Sequence, residues 1–555
     1  MRQQFGTLSV ALALFMGSAL QAAGQTVPTD RYLNHDELTS TVQSLVGNHG
    51  DLASVESLAR THEDRDVWLM TLGSGSADAL DARPALLIVA NLEANHLVGS
   101  TTALVTAEHL LSGYGSDDEI TRLLDERTIY IIPRVNPDGA ERVWSMPGYE
   151  LPFKPHPNNP DLGGMNITEM GSDLTGDGFV TMMRVPDPDG NLMVDPDEPR
   201  LLREANRARA ERGGYSIMIE GIDPANVDAY VPMGSDGVNL NRNFPHEYLY
   251  YQPHVGPHQV SEPETRALAD FMFEQVNIAS VITFSPYDNL RSLPPTNREV
   301  PEGVAPGPPA IPTNILSNDR PYHEYISERF REITGLDGDG EEGEAGSFAQ
   351  FAYFQVGIPS FTTPVWTLGE GDGGNGTRDA RWLQHMDDAG IDGFIDWTPA
   401  THPEVGEVEV GGFRPNARVN PPVEMVPELA RSHAEFAAWL GHQLPEIEIV
   451  ETTIEARGDN VFMVTATIEN DRYMPTHFQM GTRVRTNRPI TVRLMPTDEM
   501  TVLTGNIQQQ IQRLEGMGAR ETFQWLVQAP AGTEVDLELF AERAGGLQST
   551  TLTLR

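Results

Sequence analysis

Glu93 and His96 stand three residues apart, just after the apolar run Ala85-Leu86-Leu87-Ile88-Val89-Ala90. A carboxylate and an imidazole at that spacing, on the loop leaving a buried strand, can converge on one metal ion. The carboxyl ends of strands in open α/β sheets are where such sites form. The same two residues also fit a polar loop that merely starts a helix. Arg242 lies in Gly237-Val238-Asn239-Leu240-Asn241-Arg242-Asn243-Phe244 and offers different chemistry. A guanidinium presents parallel donors that match a carboxylate bidentately; its other common use is a salt bridge within the chain. Asp173-x-Thr175-x-Asp177-Gly178 has the alternating oxygens and the glycine of a calcium loop, but its twelfth place is Arg184 rather than a bidentate Glu. A plain Asp/Gly turn fits that stretch as well.

The elements that must position these residues follow from patterning. Ala85–Ala90 is long enough for a strand buried on both faces and too short for a helix. A helical pattern runs from about 99 to 111. Val67 to Leu72, Thr128 to Ile132, Ser280 to Phe284 and Ile358 to Thr363 read as further core strands, the second ending in the turn Asn136-Pro137-Asp138-Gly139. Helices are expected over 262–274, 322–334 and 427–443. Residues 145–235 are rich in Pro, Gly, Asp and Asn with little periodicity, and read as a loop-rich insertion. From residue 447 the pattern becomes β-rich, and short strands at close spacing over 447–555 predict a β-sandwich.

Composition bounds the function. The 555 residues carry 38 basic and 80 acidic side chains, a net charge of −42. Such a surface repels nucleic acid and anionic membranes. Cysteine is absent, which removes disulfides, thiolate ligands and a cysteine nucleophile. Residues 1–24 read as an export signal: Arg2, an apolar stretch from Leu8 to Leu20, then Ala22-Ala23-Gly24. Thirteen residues are too few to span a bilayer, and no later stretch looks like a membrane span. The mature protein is expected to be secreted or periplasmic.

Taken together, the Glu93 loop, Asn136-Pro137-Asp138-Gly139, the Asn241-Arg242-Asn243-Phe244 motif, Ser261-Glu262-Pro263-Glu264-Thr265 and Gly357-Ile358-Pro359-Ser360-Phe361-Thr362 resemble, in order and spacing, the zinc carboxypeptidase family. These are the carboxypeptidase A/B-like metallopeptidases. The resemblance covers about residues 30–444 and implies an α/β fold, a mixed eight-stranded sheet flanked by helices. It also implies zinc held by a His-x-x-Glu pair and a later His, a Glu as general base, and an Asn-Arg pair gripping the substrate's terminal carboxylate. Here the first pair is exchanged to Glu93-x-x-His96, the later ligand position falls on Ser285, and the base position falls on Pro364. Asn241 and Arg242 match. Where the family usually has Asp two residues before the Asn-Arg pair, this chain has Asn239. An amide there can donate to a carboxylate such as Glu93, which an aspartate cannot.

These matches predict an exported protein acting on peptide or protein C-termini, with Glu93 and His96 on zinc, Asn239 behind Glu93, and Asn241 and Arg242 on the substrate. The alternative is a peptide-binding protein of the same fold without catalysis. His246, His254 and His258 are candidate replacements for the missing ligand, and Glu341, Glu342 and Glu344 for the missing base.

Overall fold

Residues 26–145, 154, 171–222, 237–296, 312–338, 340–341, 343–369 and 377–555 are described by a computed structural model. The proposed export signal lies outside the described residues. Strands β1 (Ala53–Arg60), β2 (Asp66–Leu72), β3 (Ala85–Ala90) and β4 (Thr128–Ile132) open the chain, after a helix His35–Asn48 capped by Asn34. Four short strands follow, β5 (Met182–Pro186), β6 (Leu192–Val194), β7 (Leu202–Glu204) and β8 (Tyr215–Ile219), then β9 (Ile278–Phe284) and β10 (Ser360–Thr363).

The central sheet runs β1-β2-β4-β3-β9-β10. β3 is parallel to β4 and β9, β10 is parallel to β9, and β1 and β2 are antiparallel additions, so the sheet is mixed. Among the described residues it has six strands, where the family resemblance implied eight. β3 explains why an unbroken apolar run is needed. Leu86, Ile88 and Ala90 enter one core cluster, whereas Ala85, Leu87 and Val89 enter the other. Both faces are covered, which fits a largely parallel sheet with helices on each side. The helices Leu97–Gly113, Arg320–Thr334 and Val426–Gln443 lie on the first face, and Pro263–Glu274 on the second.

A second six-stranded sheet was not foreseen. β5 to β8 join β11 (Phe394–His402) and β12 (Gly406–Phe413) in the order β11-β12-β5-β8-β6-β7. Part of the stretch read as loop-rich is therefore sheet. Its strands are three to nine residues long and mostly half-exposed, so no apolar run announces them.

Eight more strands follow from Ile447. They form two four-stranded antiparallel sheets around one apolar cluster that contains Trp525. Met474, Phe478 and Met480 lie beyond the strand β13 (Ile447–Gly458), yet their side chains join the core of the first region. The two regions thus share packing.

Candidate functional site

The Glu93 loop is built by asparagines. Asn91 takes a left-handed conformation (φ 59°) at the end of β3, one of the few side chains that tolerate it. Its Nδ2 donates to the carbonyls of Glu93, Ala94 and His96, at 2.9, 3.0 and 3.3 Å. Asn136 clasps the loop from β4, donating to the Leu92 carbonyl (3.2 Å). A Cβ on Gly139 would sit 2.6 Å from that of Ala94, so the turn after Asn136 reaches the loop only as glycine. Asn420 closes the other side, donating to the Asn95 carbonyl (2.8 Å) and accepting from the Val98 amide (3.0 Å).

Within this frame Glu93 is 1% exposed. Its Oε1 accepts from Asn241 Nδ2 (2.6 Å) and Ser285 Oγ (3.1 Å), whereas Oε2 has no hydrogen-bond partner among the described residues. Burial pushes its carboxyl up to about 7, against the pull of the Asn241 and Ser285 donors. His96 is fully buried, and its Nε2 lies 3.0 Å from the carbonyl oxygen of Pro364. A carbonyl only accepts, so Nε2 carries the proton. Burial pushes the imidazole down to about 4, over the opposing pull of neighbouring backbone carbonyls, so it is neutral at pH 7. Gly99 makes room for the ring, since a Cβ there would lie 2.7 Å from Nδ1.

The site residues on the next motif have exchanged roles relative to the sequence expectation. Asn239 does not donate to Glu93. Its side chain accepts from the Asn241 amide (2.9 Å) and caps the short turn Leu240–Arg242. Asn241 supplies the donor instead, and its Oδ1 accepts from the Phe348 amide (2.8 Å). The chemical need was legible; which asparagine meets it depends on the turn, because a capping side chain folds back on its own backbone. Arg242 is paired through Nε with Glu344 Oε2 at 2.7 Å, and its Nη1 reaches the Pro253 carbonyl. Tyr287 also bonds to Glu344, and burial together with Glu93 and Glu344 raises its phenol.

A cavity of about 370 Å³ opens beside Glu93 and His96, with Tyr287, Pro364 and Trp366 around it. Two ion pairs stand on its wall: Arg378 with Glu341 (2.7 Å) and Arg418 with Asp379 (2.8 Å). Sequence reasoning did not single out Arg378, Asp379 or Arg418, which lie on segments without a motif.

The other candidates go elsewhere. His246 stacks on Phe354 (centroids 4.1 Å apart), His258 Nδ1 lies by the Gln259 carbonyl, and the His254 backbone accepts from Asn239; none lines the cavity. Glu341 and Glu344 are ion-paired, and Glu342 lies outside the described residues. The calcium expectation at Asp173 and Asp177 finds no support. Asp173 accepts from the Gly176 and Gly178 amides (2.6 and 2.9 Å), and Asp177 from the Phe179 amide (2.9 Å). These carboxylates cap their own turn.

The donor set falls short of a catalytic zinc site. A catalytic zinc takes three protein donors and keeps one position open. Among the described residues no group of three His, Cys, Asp or Glu side chains comes together. Ser285 occupies the third position, and a neutral hydroxyl is a poor ligand; Glu93 Oε2 and His96 Nδ1, which have no hydrogen-bond partner among the described residues, make at most two donors. The expectation of zinc on Glu93 and His96 does not fit this geometry.

Comparison with known proteins places the fold. Residues 38–371 match the zinc carboxypeptidase family, and residues 446–552 match a domain of unknown function. Carboxypeptidase M of Mus musculus is 29% identical over 132 residues, 24% of this chain and 30% of that protein. A zinc carboxypeptidase of Saccharothrix mutabilis subsp. capreolus is 30% identical over 110 residues, 20% of this chain and 25% of that protein. The chain thus spans less than a third of the length of these two relatives. Among solved structures, thrombin activatable fibrinolysis inhibitor aligns at a TM-score of 0.39 and 13% identity, covering 75% of this chain and 81% of that one. Carboxypeptidase A from Helicoverpa armigera aligns at 0.38 and 14%, covering 76% and 77%.

Proposed function

This chain belongs to the zinc carboxypeptidase family, and we propose that it binds peptide C-termini without hydrolysing them. The observation that carries this reading is that, among the described residues, no third His, Cys, Asp or Glu side chain joins Glu93 and His96. Ser285 stands at the third ligand position and Pro364 at the general-base position, so three metal donors and a side-chain proton acceptor are not brought together. Recognition has better support. Arg242 already holds a carboxylate, that of Glu344, through one Nε–Oε2 contact, and its guanidinium could pair with a peptide's terminal carboxylate instead. Tyr287 links that pair to the Glu93 cavity. The peptide end displaces Glu344 from Arg242, while protonated Glu93 turns its unpartnered Oε2 into a donor for a neutral acceptor in the cavity.

The protein is read as exported, secreted or periplasmic, on its first 24 residues, with the two C-terminal sheets as a β-sandwich module over 447–555. No described helix is long and apolar enough to cross a membrane. Titration calorimetry with free and C-terminally amidated peptides tests the reading, combined with mass spectrometry of the same mixtures after zinc addition. Free-acid peptides should bind, amides should bind poorly, and no residue should be released. Release of C-terminal residues would establish the alternative, a working carboxypeptidase with a rearranged metal site.

A further inference from the structure

A second cavity, of about 430 Å³, lies next to the Glu93 cavity. The two share Asp379 and Arg418, whose ion pair (2.8 Å) stands as the partition between them. The second cavity is built on one face of the sheet that β5 to β8 make with β11 and β12. Adjacent residues on β5 and β8 divide between the faces. Met183 packs in a small cluster with Val408 and Val410, with Met218 against it, whereas Met182 and Ile217 line the cavity. Period-two alternation requires such a split. The second face carries apolar side chains among polar ones, and Ile217 remains 40% exposed there. Concave sites with apolar walls and a few polar groups are where ligand groups bind.

Three aromatic side chains, Phe394, Trp397 and Phe413, stand in the remaining walls. Trp397 is held by its Nε1 bond to the Arg200 carbonyl (2.7 Å), and Phe394 meets Phe413 edge-on with ring centroids 5.4 Å apart. The charged groups on the rim are already neutralised: Arg200 by Glu198 and Asp387, and Arg418 by Asp379. A chamber of this size and lining suits an apolar ligand group held by a few polar contacts. Most of the shared wall lies after residue 371, where the family match ends. The same late segment grips the Glu93 loop through Asn416 and Asn420.

We propose that this cavity is a second chamber for the peptide bound at Glu93, taking a large apolar or aromatic side chain upstream of the C-terminal residue. The assignment rests on the peptide-binding reading, and continuity through the Asp379–Arg418 partition commits the occupant to that same chain. Main-chain amides crossing the partition meet a carboxylate and a guanidinium, one acceptor and one donor for the backbone.

The test uses the full chain and two kinds of probe. In calorimetry, free-acid peptides carrying one Trp or Phe among alanines, moved stepwise upstream, are compared with the all-alanine peptide. One position should give about ten-fold tighter binding, as burial of an aromatic side chain supplies. Ile217→Asp, which puts a charge in the lining, and Ile217→Trp, which fills it, should each bring that ratio to about one. Independently, N-acetyl-tryptophanamide, which has no carboxylate, should bind the parent by saturation-transfer NMR and lose its signal in both variants. Equal affinity for aromatic and alanine peptides in the parent overturns the proposal, as does amide binding that both variants retain. If no free-acid peptide binds but the amide does and the variants lose it, the failure lies with the peptide-binding reading, and the chamber is a separate aromatic site.

Discussion

His96 donates its Nε2 proton to the Pro364 carbonyl 3.0 Å away, joining the two positions where the family's chemistry needs a metal ligand and a base. The bond forms because burial keeps the ring neutral and a backbone carbonyl is the partner within reach. The first prediction follows. Protein purified without added metal should contain well under one zinc per chain, and chelation should leave its melting temperature unchanged. Stoichiometric zinc by mass spectrometry, with a drop in stability after chelation, would show that Glu93 and His96 hold metal with a further donor that this structure does not bring to them.

Glu93 should leave a signature in stability against pH. Its folded-state carboxyl is raised from 4.5 to about 7, so the folded protein binds the extra proton between those values. Stability from this group is fully present below about pH 4.5 and is lost as pH rises through 7, about 3 kcal/mol in all. The buried His96, His323 and His433 act in the opposite sense. Each is pushed down to about 4, so their contribution is lost as pH falls below the ordinary histidine range. The difference between parent and Glu93→Gln isolates the carboxyl. Urea unfolding should show the variant gaining on the parent by about 3 kcal/mol between pH 4.5 and 8. A pH-independent difference would show that Glu93 is ionised in the folded protein throughout.

The exchanged asparagines predict unequal costs. Asn239→Ala removes a cap and should cost about 1 kcal/mol. Asn241→Ala strips a donor from Glu93 and orphans the Phe348 amide, two buried groups, and should cost about 2–4 kcal/mol. Thermal or urea unfolding of both variants decides the matter; a larger loss at Asn239 would return the Glu93 donor to that residue.

How much of this was legible in the sequence depends on the element. β3, β4 and β9 could be read because burial on both faces forces unbroken apolar runs. β10 needed its motif as well. β1 escaped because its exposed, polar residues carry no such run, and β11 because Pro399 lies within it. The Glu93–His96 loop and the Asn241-Arg242 motif were found by spacing. Their partners were not, because Pro364 acts through its carbonyl and Asn420 reaches across 325 positions to Asn95. Backbone acceptors and distant caps leave no side-chain pattern to read.

Arg242 and Glu344 predict opposite effects on recognition. Arg242→Lys keeps the charge but loses the planar fork, and should weaken binding of free-acid peptides by about 1.5–3 kcal/mol. Glu344→Gln removes the internal competitor. The pair is partly exposed, at 21% and 44%, so the gain in peptide affinity should be modest, about 0.5–1 kcal/mol. Amidated peptides should respond to neither change. Calorimetry in which Glu344→Gln weakens binding would mean that Glu344 supports the site rather than competing for its guanidinium.

The shared core predicts the fate of a shortened chain. Met474, Phe478 and Met480 are fully buried, yet all three sit beyond the strand that opens the C-terminal sheets. Phe478 stacks on Tyr322 with centroids 5.4 Å apart, and Asp319 accepts from the Gln479 and Met480 amides at 2.6 and 3.2 Å. Arg472 bridges Glu446 and Glu126, and Arg543 reaches the Ile278 carbonyl (3.0 Å) at the start of β9. Ending the chain at residue 445 removes three large apolar side chains at about 1.5–3 kcal/mol each and leaves Asp319 buried with fewer donors. That loss is comparable with the whole stability of an ordinary domain, about 5–15 kcal/mol. The shortened chain should therefore aggregate or melt far below the full chain, and Phe478→Asp in the full chain should unfold both regions together. Calorimetric scanning checks this: a chain ending at 445 that melts cooperatively at the parent's temperature would show that the α/β region completes its own core.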